Sequence, residues 1–427
     1  MKFTAVGDFL IQEVYKTPYD GFDTLRDFIL RGDARFFNLE TTLNKEGTCC
    51  ASQFSGGSYL RVDPTALDTV KSYGCNLITT ANNHAFDFSY DGFLSTLACL
   101  EQSGLAFAGV GRDLPSAAKP AYLQTKNGTV ALIAVTASLN PTAIAGNPSK
   151  VYAGRPGVNG LRQSAVIEVT AAQMAMLEDI AEKTGVNHEA DIERKDGYLP
   201  ELPAGVFEFA GLKLETADKP GRRVDVNKTD YARIMASIDE AKEKADYVLV
   251  SLHNHSLDGE KENVPAFLEK FCRDCIDRGA HAVIGHGPHL VRGIEIYKNR
   301  PIFHSLGDFV LQLNSTPSAP AEYYEKNGVP VDAGMKELLW TRSKGGKRGL
   351  MYDRKMFETF IPYWEMENGS LTRLELLPVE LGFDAEEARR GIPQPARDLS
   401  FIDRLADISA VYGTKMHIEN GKVIVDL

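Results

Sequence analysis

Short apolar runs, each closed by Gly, Asn, Asp or His, alternate with amphipathic stretches of helical length through most of the chain. Runs bounded in this way predict buried strands, and the apolar spacing between them predicts helices. Phe3 to Val6 is a first strand with Gly7-Asp8 at its carboxyl end, followed by a helix at about Phe22 to Leu30. Arg35-Phe36-Phe37 opens a second strand that ends in Asn38-Leu39-Glu40. Asp63-Pro64 reads as an N-cap with proline at the first helical position, which predicts a helix over Ala66 to Ser72. Cys75 to Thr79 is a third strand, closed by Ala81-Asn82-Asn83-His84. A helix (Phe93 to Gln102), a short strand (Leu105 to Ala108) and a hairpin (Ala121 to Thr125, Thr129 to Thr136) follow.

The same rhythm returns with a helix over Tyr231 to Lys244 and a strand, Tyr247 to Leu252, ending in His253-Asn254-His255. A helix from Pro265 to Arg278 leads to the apolar run Ala282-Val283-Ile284, which breaks at Gly285 into His286-Gly287-Pro288-His289. Two further strands, Leu290 to Tyr297 and Pro301 to Ser305, carry His304 and end in Gly307-Asp308. Strand-helix alternation of this kind predicts an α/β fold. Between the two rhythmic parts, Asn140 to Lys228 is rich in Gly, Pro and Asn, with one amphipathic helix around Ala171 to Lys183 and charged loops such as Glu189 to Asp196. The expected organisation is one domain over residues 1–380, with an insertion at about 140–228 able to cover a site. Residues 381–427 then form a C-terminal helical extension packed on it, with helices at Ala385 to Arg389 and Leu399 to Val411.

Composition narrows the class without naming a chemistry. The chain has 427 residues, enough for a large core, and its 43% hydrophobic and 25% charged fractions are those of a soluble globular protein. A net charge of −11 argues against a nucleic-acid surface. No apolar run approaches a membrane span, and no leader of secretory length precedes the first strand. Six sparse cysteines suit reduced thiols, so a cytoplasmic location is expected. Cys272 and Cys275 form a C-x-x-C inside a predicted helix without a second pair, which reads as one buried helix face.

The polar residues collect where strands end: Asp8, Asn38 with Glu40, Asn83-His84, His253 with His255, His286 with His289, and Asp308. Strand ends are where α/β sheets build their sites. Carboxylates, an amide oxygen and imidazoles together suit one or two divalent metals of the Mn, Fe or Zn type. Two such metals can share a hydroxide and stabilise both oxygens of an in-line displacement, while an imidazole held off the metals protonates the leaving group.

On Gly7-Asp8, Asn38-Leu39-Glu40, Ala81-Asn82-Asn83-His84, Ser251-Leu252-His253, Gly285-His286-Gly287-Pro288-His289 and Ser305-Leu306-Gly307-Asp308-Phe309, the chain resembles the CapA family. That family is named for poly-γ-glutamate capsule biosynthesis and lies within the calcineurin-like metallophosphoesterase superfamily. The resemblance runs from about Lys2 to Val310. It implies a four-layer α/β/β/α sandwich with two divalent metals (Mn, Fe or Zn) at the strand ends. It implies Asp8 as ligand to one metal, Glu40 as the bridging carboxylate, Asn83 as an oxygen ligand to the second, and His253, His286 and His289 completing the set. His84 would be the general acid. Asn38 is expected to orient Glu40, Asn82 to hold its loop, and His255, His304 and Asp308 to stand behind the ligands. Arg292 is expected to contact an anionic substrate or pair with a carboxylate.

Three positions depart from the family pattern. Leu10 stands where a phosphoesterase has a histidine two residues after its first aspartate, Gly287 stands where the last element has its first histidine, and Asp308 replaces an asparagine. The function expected is metal-dependent hydrolysis of a phosphoester by a bimetal-bound hydroxide, on a small or polymeric anionic substrate. A non-hydrolytic metal-binding accessory role in poly-γ-glutamate synthesis, or hydrolysis of an amide in that polymer, are the alternatives.

Overall fold

The structure, a computed structural model, describes residues 1–427. It divides into a larger unit, Met1–Leu161 with Ala232–Leu427, and a smaller one, Arg162–Tyr231. The fold is mixed α/β with several sheets. In the larger unit the strands that carry the site are, in chain order, β1 (Lys2–Leu10), β2 (Ala34–Leu39), β3 (Leu77–Thr79), β4 (Gly128–Thr136), β5 (Tyr247–His253), β6 (Ala282–His286), β7 (Arg300–Phe303) and β8 (Asp308–Leu311).

One sheet of ten strands is centred on β1, which runs parallel to β2, with β3 beyond β2. On its other edge β1 pairs antiparallel with Glu358–Glu367 through Lys2 to Thr4, and then parallel with β8 from Asp8 onward. A second sheet of six strands runs Ile294–Tyr297, β7, β6, β5, β4 and Ala121–Thr125, its central four strands parallel. The period of two decides which side chains go where. Phe3, Ala5, Phe36 and Leu77 of the first sheet join Leu132, Ala134, Leu249 and Ile284 of the second in one buried cluster. Their neighbours Val6, Phe37 and Ile78 join the opposite cluster, with Leu25 and Phe28 of the helix Phe22–Ile29 and Leu97 of the helix Ser89–Ser103. Each buried Phe, Leu, Ile or Val among them contributes roughly 1.5–3 kcal/mol, so a slip of one residue would be severely penalised. Cys272 and Cys275 lie buried on the helix Ala266–Arg278, as free thiols on its packed face.

Several elements differ from their sequence reading. Asp63 caps the turn before the helix Ala66–Ser72, its carboxylate accepting the Thr65 N–H, while Thr65 takes the N-cap position. Residues 385–389, expected to be helical, form a bend and a turn instead. The chain end adds a helix, Phe401–Ala410, and a hairpin, Met416–Glu419 with Lys422–Val425, whose second strand extends the ten-stranded sheet. The smaller unit holds the expected helix (Ala171–Thr184), and the charged stretch after it is a helix too, His188–Lys195. It also has a four-stranded sheet that the sequence hid. Those strands are half-exposed and studded with charge (Arg223 pairs with Glu168, Glu215 and Asp225), so they show no apolar run. Val169, Met174 and Leu214 form their small buried cluster.

Candidate metal centre

Parallel register sets Asp8 beside both Asn38 and Asp308, and His253 beside His286. Between Ala5 and Asp8 β1 carries one residue more than β2 opposite it, a bulge that re-aims the aspartate. Only glycine fits at position 7, because a Cβ there would lie 1.9 Å from the Gly307 carbonyl oxygen.

A ladder of amides fixes the first carboxylate and the loop behind it. Asn38 Nδ2 donates to Asp8 Oδ1 (2.7 Å), and Asn82 Nδ2 donates to Asn38 Oδ1 (3.1 Å) and to the Leu39 carbonyl (2.8 Å). Asn82 Oδ1 accepts the His84 N–H at 3.1 Å. Asn82 thus holds the loop as expected, whereas Asn38 orients Asp8, not Glu40. Asp8 Oδ2 accepts the Gly287 N–H at 2.8 Å. Burial alone would raise the Asp8 carboxyl, but the charges of His286 and His289 and the hydrogen bond from Asn38 outweigh it and hold it below the usual range.

Glu40 is the centre of the arrangement. It is fully buried, and neither carboxylate oxygen has a hydrogen-bond partner. Its Oε1 is ringed by three imidazole nitrogens: His253 Nε2 at 3.6 Å, His255 Nε2 at 3.7 Å and His84 Nε2 at 3.9 Å. These distances exceed hydrogen-bond contact. Burial first, then the nearby Asp8 and Asp308 charges, push the Glu40 carboxyl well above its ordinary value. Asp308 is pushed up to about 6, chiefly by burial, and its Oδ2 is also unpartnered.

The histidines divide by partner. Asn83 Oδ1 lies 2.6 Å from His253 Nε2 and 3.1 Å from His255 Nε2, while its Nδ2 donates to the Gly56 carbonyl at 2.9 Å. His253 Nδ1 meets His286 Nδ1 at 2.9 Å, and His286 Nε2 meets Ser251 Oγ at 2.7 Å. His286 Nδ1 is also 3.3 Å from Asp8 Oδ1. Burial, reinforced by the neighbouring imidazoles, drives His253 and His255 well below the ordinary value, so both are neutral at pH 7 with a lone pair to offer. His289 sits at φ 62°, a conformation that costs about 1–3 kcal/mol for a residue with a side chain. It donates through Nδ1 to Asp308 Oδ1 at 2.9 Å. Burial would lower its pKa, but Asp308 wins and raises it. His84 donates through Nδ1 to Asp87 Oδ2 at 2.6 Å, and Asp87, fully buried, is itself held by the N–H groups of Gly56 and Leu60.

The donor set fits divalent metal. Ligand atoms converge within 4.8 Å in three overlapping groups: Asp8, His253 and His286; Glu40, His253 and His255; and Asp8, Glu40, His289 and Asp308. His255 and Asp308, expected behind the ligands, each lie in one of these groups. Residues with unpartnered buried carboxylate oxygens facing neutral imidazoles suit metals of the Mn, Fe or Zn type.

Arg292 and His304 have other partners. Arg292 is fully buried and contacts neither a carboxylate nor the cavity. It donates to the carbonyls of Lys261 (2.9 Å) and Ser256 (2.9 Å) and to Asn254 Oδ1 (3.3 Å), clamping the loop that follows His253. His304 pairs with Glu295 at 3.3 Å and packs against the Tyr412 ring at a tilt, away from the three groups. Arg292→Met should lower stability by roughly 3 kcal/mol, since it strands buried acceptors. It should also raise the flexibility of residues 254–261, read by urea titration and hydrogen exchange of that loop.

The departures have local reasons. At Gly287 φ is +117° and a Cβ would fall 2.5 Å from the Asn254 carbonyl oxygen, so no histidine fits; its N–H serves Asp8 instead. Leu10 is fully buried and lines a cavity of about 320 Å³ with Ser58, His84, His255, Lys261 and His289. Asp87, Ser251 and Lys261 were not among the expected site residues; Ser251 stood in the Ser251-Leu252-His253 motif and Asp87 three residues after His84 in the same loop, whereas Lys261 left no signal.

A family profile described as "Bacterial capsule synthesis protein PGA_cap" matches residues 2–313. Two uncharacterized proteins of Sinorhizobium fredii are each 31% identical to the chain over 433 aligned residues, covering 97% of it and 91% of their own length. The PGA biosynthesis protein CapA of Bacillus subtilis is 24% identical over 74% of the chain and 65% of its own. A probable polyglutamine synthesis accessory protein of Mycobacterium tuberculosis is 26% identical over 65% of the chain and 55% of its own.

Proposed function

The chain belongs to the bacterial capsule synthesis protein PGA_cap family, and on that premise we propose that it is a metal-dependent hydrolase of phosphoesters. We place its substrates among small or polymeric anionic molecules of the kind that poly-γ-glutamate metabolism handles. The observation that carries the reading is Glu40: a buried carboxylate without a hydrogen bond, ringed by three imidazole nitrogens at 3.6–3.9 Å. A protein gains nothing from such a charge unless a cation joins it. The family-level four-layer α/β/β/α arrangement is supported by the buried cluster shared between the two sheets and by helices on the outer face of the first.

Asp8, Glu40, Asn83, His253, His255, His289 and Asp308 would hold the ions. Bound there, divalent metals supply Lewis acidity toward a phosphoryl or carbonyl oxygen and acidify water. The three groups do not amount to three ions, because they share Asp8, Glu40 and His253. His253 can serve only one group, since a neutral imidazole has one lone pair and one N–H. With Nε2 facing Glu40 and His255, its Nδ1–H points to His286 Nδ1, whose Nε2–H then goes to Ser251 Oγ. In that neutral tautomer chain, which differs from the charged His286 that lowers the Asp8 carboxyl, we assign His286 to orienting His253 in place of the ligand role expected of it.

His84 does the proton work. Asp87 fixes the Nδ1–H tautomer and leaves Nε2 turned toward Glu40 and the cavity. From that position a protonated Nε2 can give its proton to a departing oxygen. Lys261, Ser58 and the imidazoles line the space where an anionic group would sit.

Elemental analysis of protein purified without chelator, beside assays on a generic phosphate ester and on poly-γ-glutamate, tests the proposal. About two equivalents of metal with ester turnover support it. Metal with polymer cleavage alone would move the reaction to an amide. Metal without either activity would leave an accessory binding role, and no metal after reconstitution would sink the reading.

A further inference from the structure

A second cavity of about 270 Å³ adjoins the first, sharing Ser58, Leu313, Arg342 and Leu350 with it. It is walled by Asn314, Ser343, Arg348, Met351 and Tyr352, from the segment that follows β8. The two cavities are thus neighbouring chambers, with Arg342 in the wall of both.

The charge of these walls is unusual for an acidic chain. Lys261 in the first chamber, Arg342 at the junction and Arg348 in the second make no ion pair, whereas nearby Arg354 and Lys355 are paired with Asp384 and Glu262. Arg342 is nonetheless held in place. It donates to Ser58 Oγ at 2.6 Å, and its guanidinium lies 5.8 Å from the centre of the Tyr323 ring. Arg348 Nε donates to the Arg342 carbonyl at 3.0 Å, which ties the second cation to the first. Three anchored or cavity-lining cations without carboxylates, beside a catalytic group, are a receptor for negative charge.

We propose that the two chambers form one path for an extended substrate bearing several carboxylates or phosphates, with Arg342 and Arg348 taking the anionic groups remote from the reacting bond. This rests on the reading of the Glu40–His84 group as the reacting centre. Longer polyanions then bind better than short ones, because each added anionic group meets a cation already in place. Lys261 holds the group nearest the reacting bond, which every substrate presents whatever its length.

The test is binding, read apart from turnover, by fluorescence polarisation with labelled γ-linked glutamate dimer and hexamer and with the neutral amide of the hexamer. The hexamer should bind about tenfold or more tighter than the dimer, and the advantage should fade with salt. Arg348→Ala and Arg342→Gln should each bring the hexamer-to-dimer ratio down toward one, with metal content as in the wild type. No preference of the wild type for the hexamer over the dimer or over its neutral amide would overturn the proposal. So would an unchanged ratio in both variants. If metal and ester turnover are absent while the length preference persists, the reaction assigned above fails and the path stands. If ester turnover is present without any length preference, the path fails and the reaction stands.

Discussion

His84→Ala should lower phosphoester turnover by about 10²–10⁴-fold while leaving metal content at the wild-type level. The loss should fall on kcat, since the residue's proton is needed only as the leaving oxygen departs. Two contacts support the assignment: Nδ1 is committed to Asp87 at 2.6 Å, and Nε2 is 3.9 Å from Glu40. A histidine that ligated metal instead would take metal away with it. Measuring metal and kcat on the same preparation separates the two roles. Asp87→Asn should give a smaller loss, because the amide no longer fixes the Nδ1–H tautomer that turns Nε2 toward the leaving oxygen. Activated substrates with good leaving groups should be the least affected. A His84→Ala enzyme with undiminished turnover of an unactivated ester would end the general-acid reading.

The strand-end residues were legible because β strands of a parallel sheet advertise themselves as short apolar runs, and the residue that closes each run faces the same edge. Glu40, Asn83, His84, His253, His286 and His289 follow from that one regularity, whereas Asp8 lies within β1 beyond its bulge and Asp308 opens β8 beside it. The sequence could not rank them, since ligand and support differ in partners and not in position. Asn38 turns to Asp8 through register, and His255 reaches Glu40 because the chain folds back after β5 under the Arg292 clamp. A lone arginine on a strand gives no hint that carbonyls are its target. The cavity walls were invisible for a different reason. Arg342, Arg348 and Leu350 come from a segment without hydrophobic period, and they meet Ser58 across a chain separation of nearly three hundred residues. The smaller unit escaped because half-exposed strands mix charge into their pattern.

Glu40→Gln should act with opposite sign on the metal-free and metal-loaded protein. In the metal-free state the carboxylate is buried without hydrogen bonds and beside Asp8 and Asp308, so its neutral form is favoured and its carboxyl is raised well above the ordinary 4.5. A carboxyl raised on folding contributes stability at low pH that is lost as pH rises through its shifted value. His253 and His255 oppose this slope only below their ordinary 6.5, where the unfolded chain becomes protonated and the folded one does not. Above about pH 6.5 they are neutral in both states, and the groups whose values the fold raises, Glu40 and His289, set the sign together. The metal-free wild type should therefore lose stability as pH rises above about 6.5, and Glu40→Gln should recover part of that loss. Loaded protein should show the reverse. Metal binding needs the deprotonated ligand, so stability should rise with pH, and Glu40→Gln should lose metal and that gain together. Thermal melts of both proteins at about pH 6.5 and pH 8, with chelator and with added Mn²⁺, give the four comparisons. A Glu40→Gln protein that is less stable than wild type in chelator at pH 8 would mean the carboxylate is stabilised by the fold itself, and the case for a cation beside it would fall.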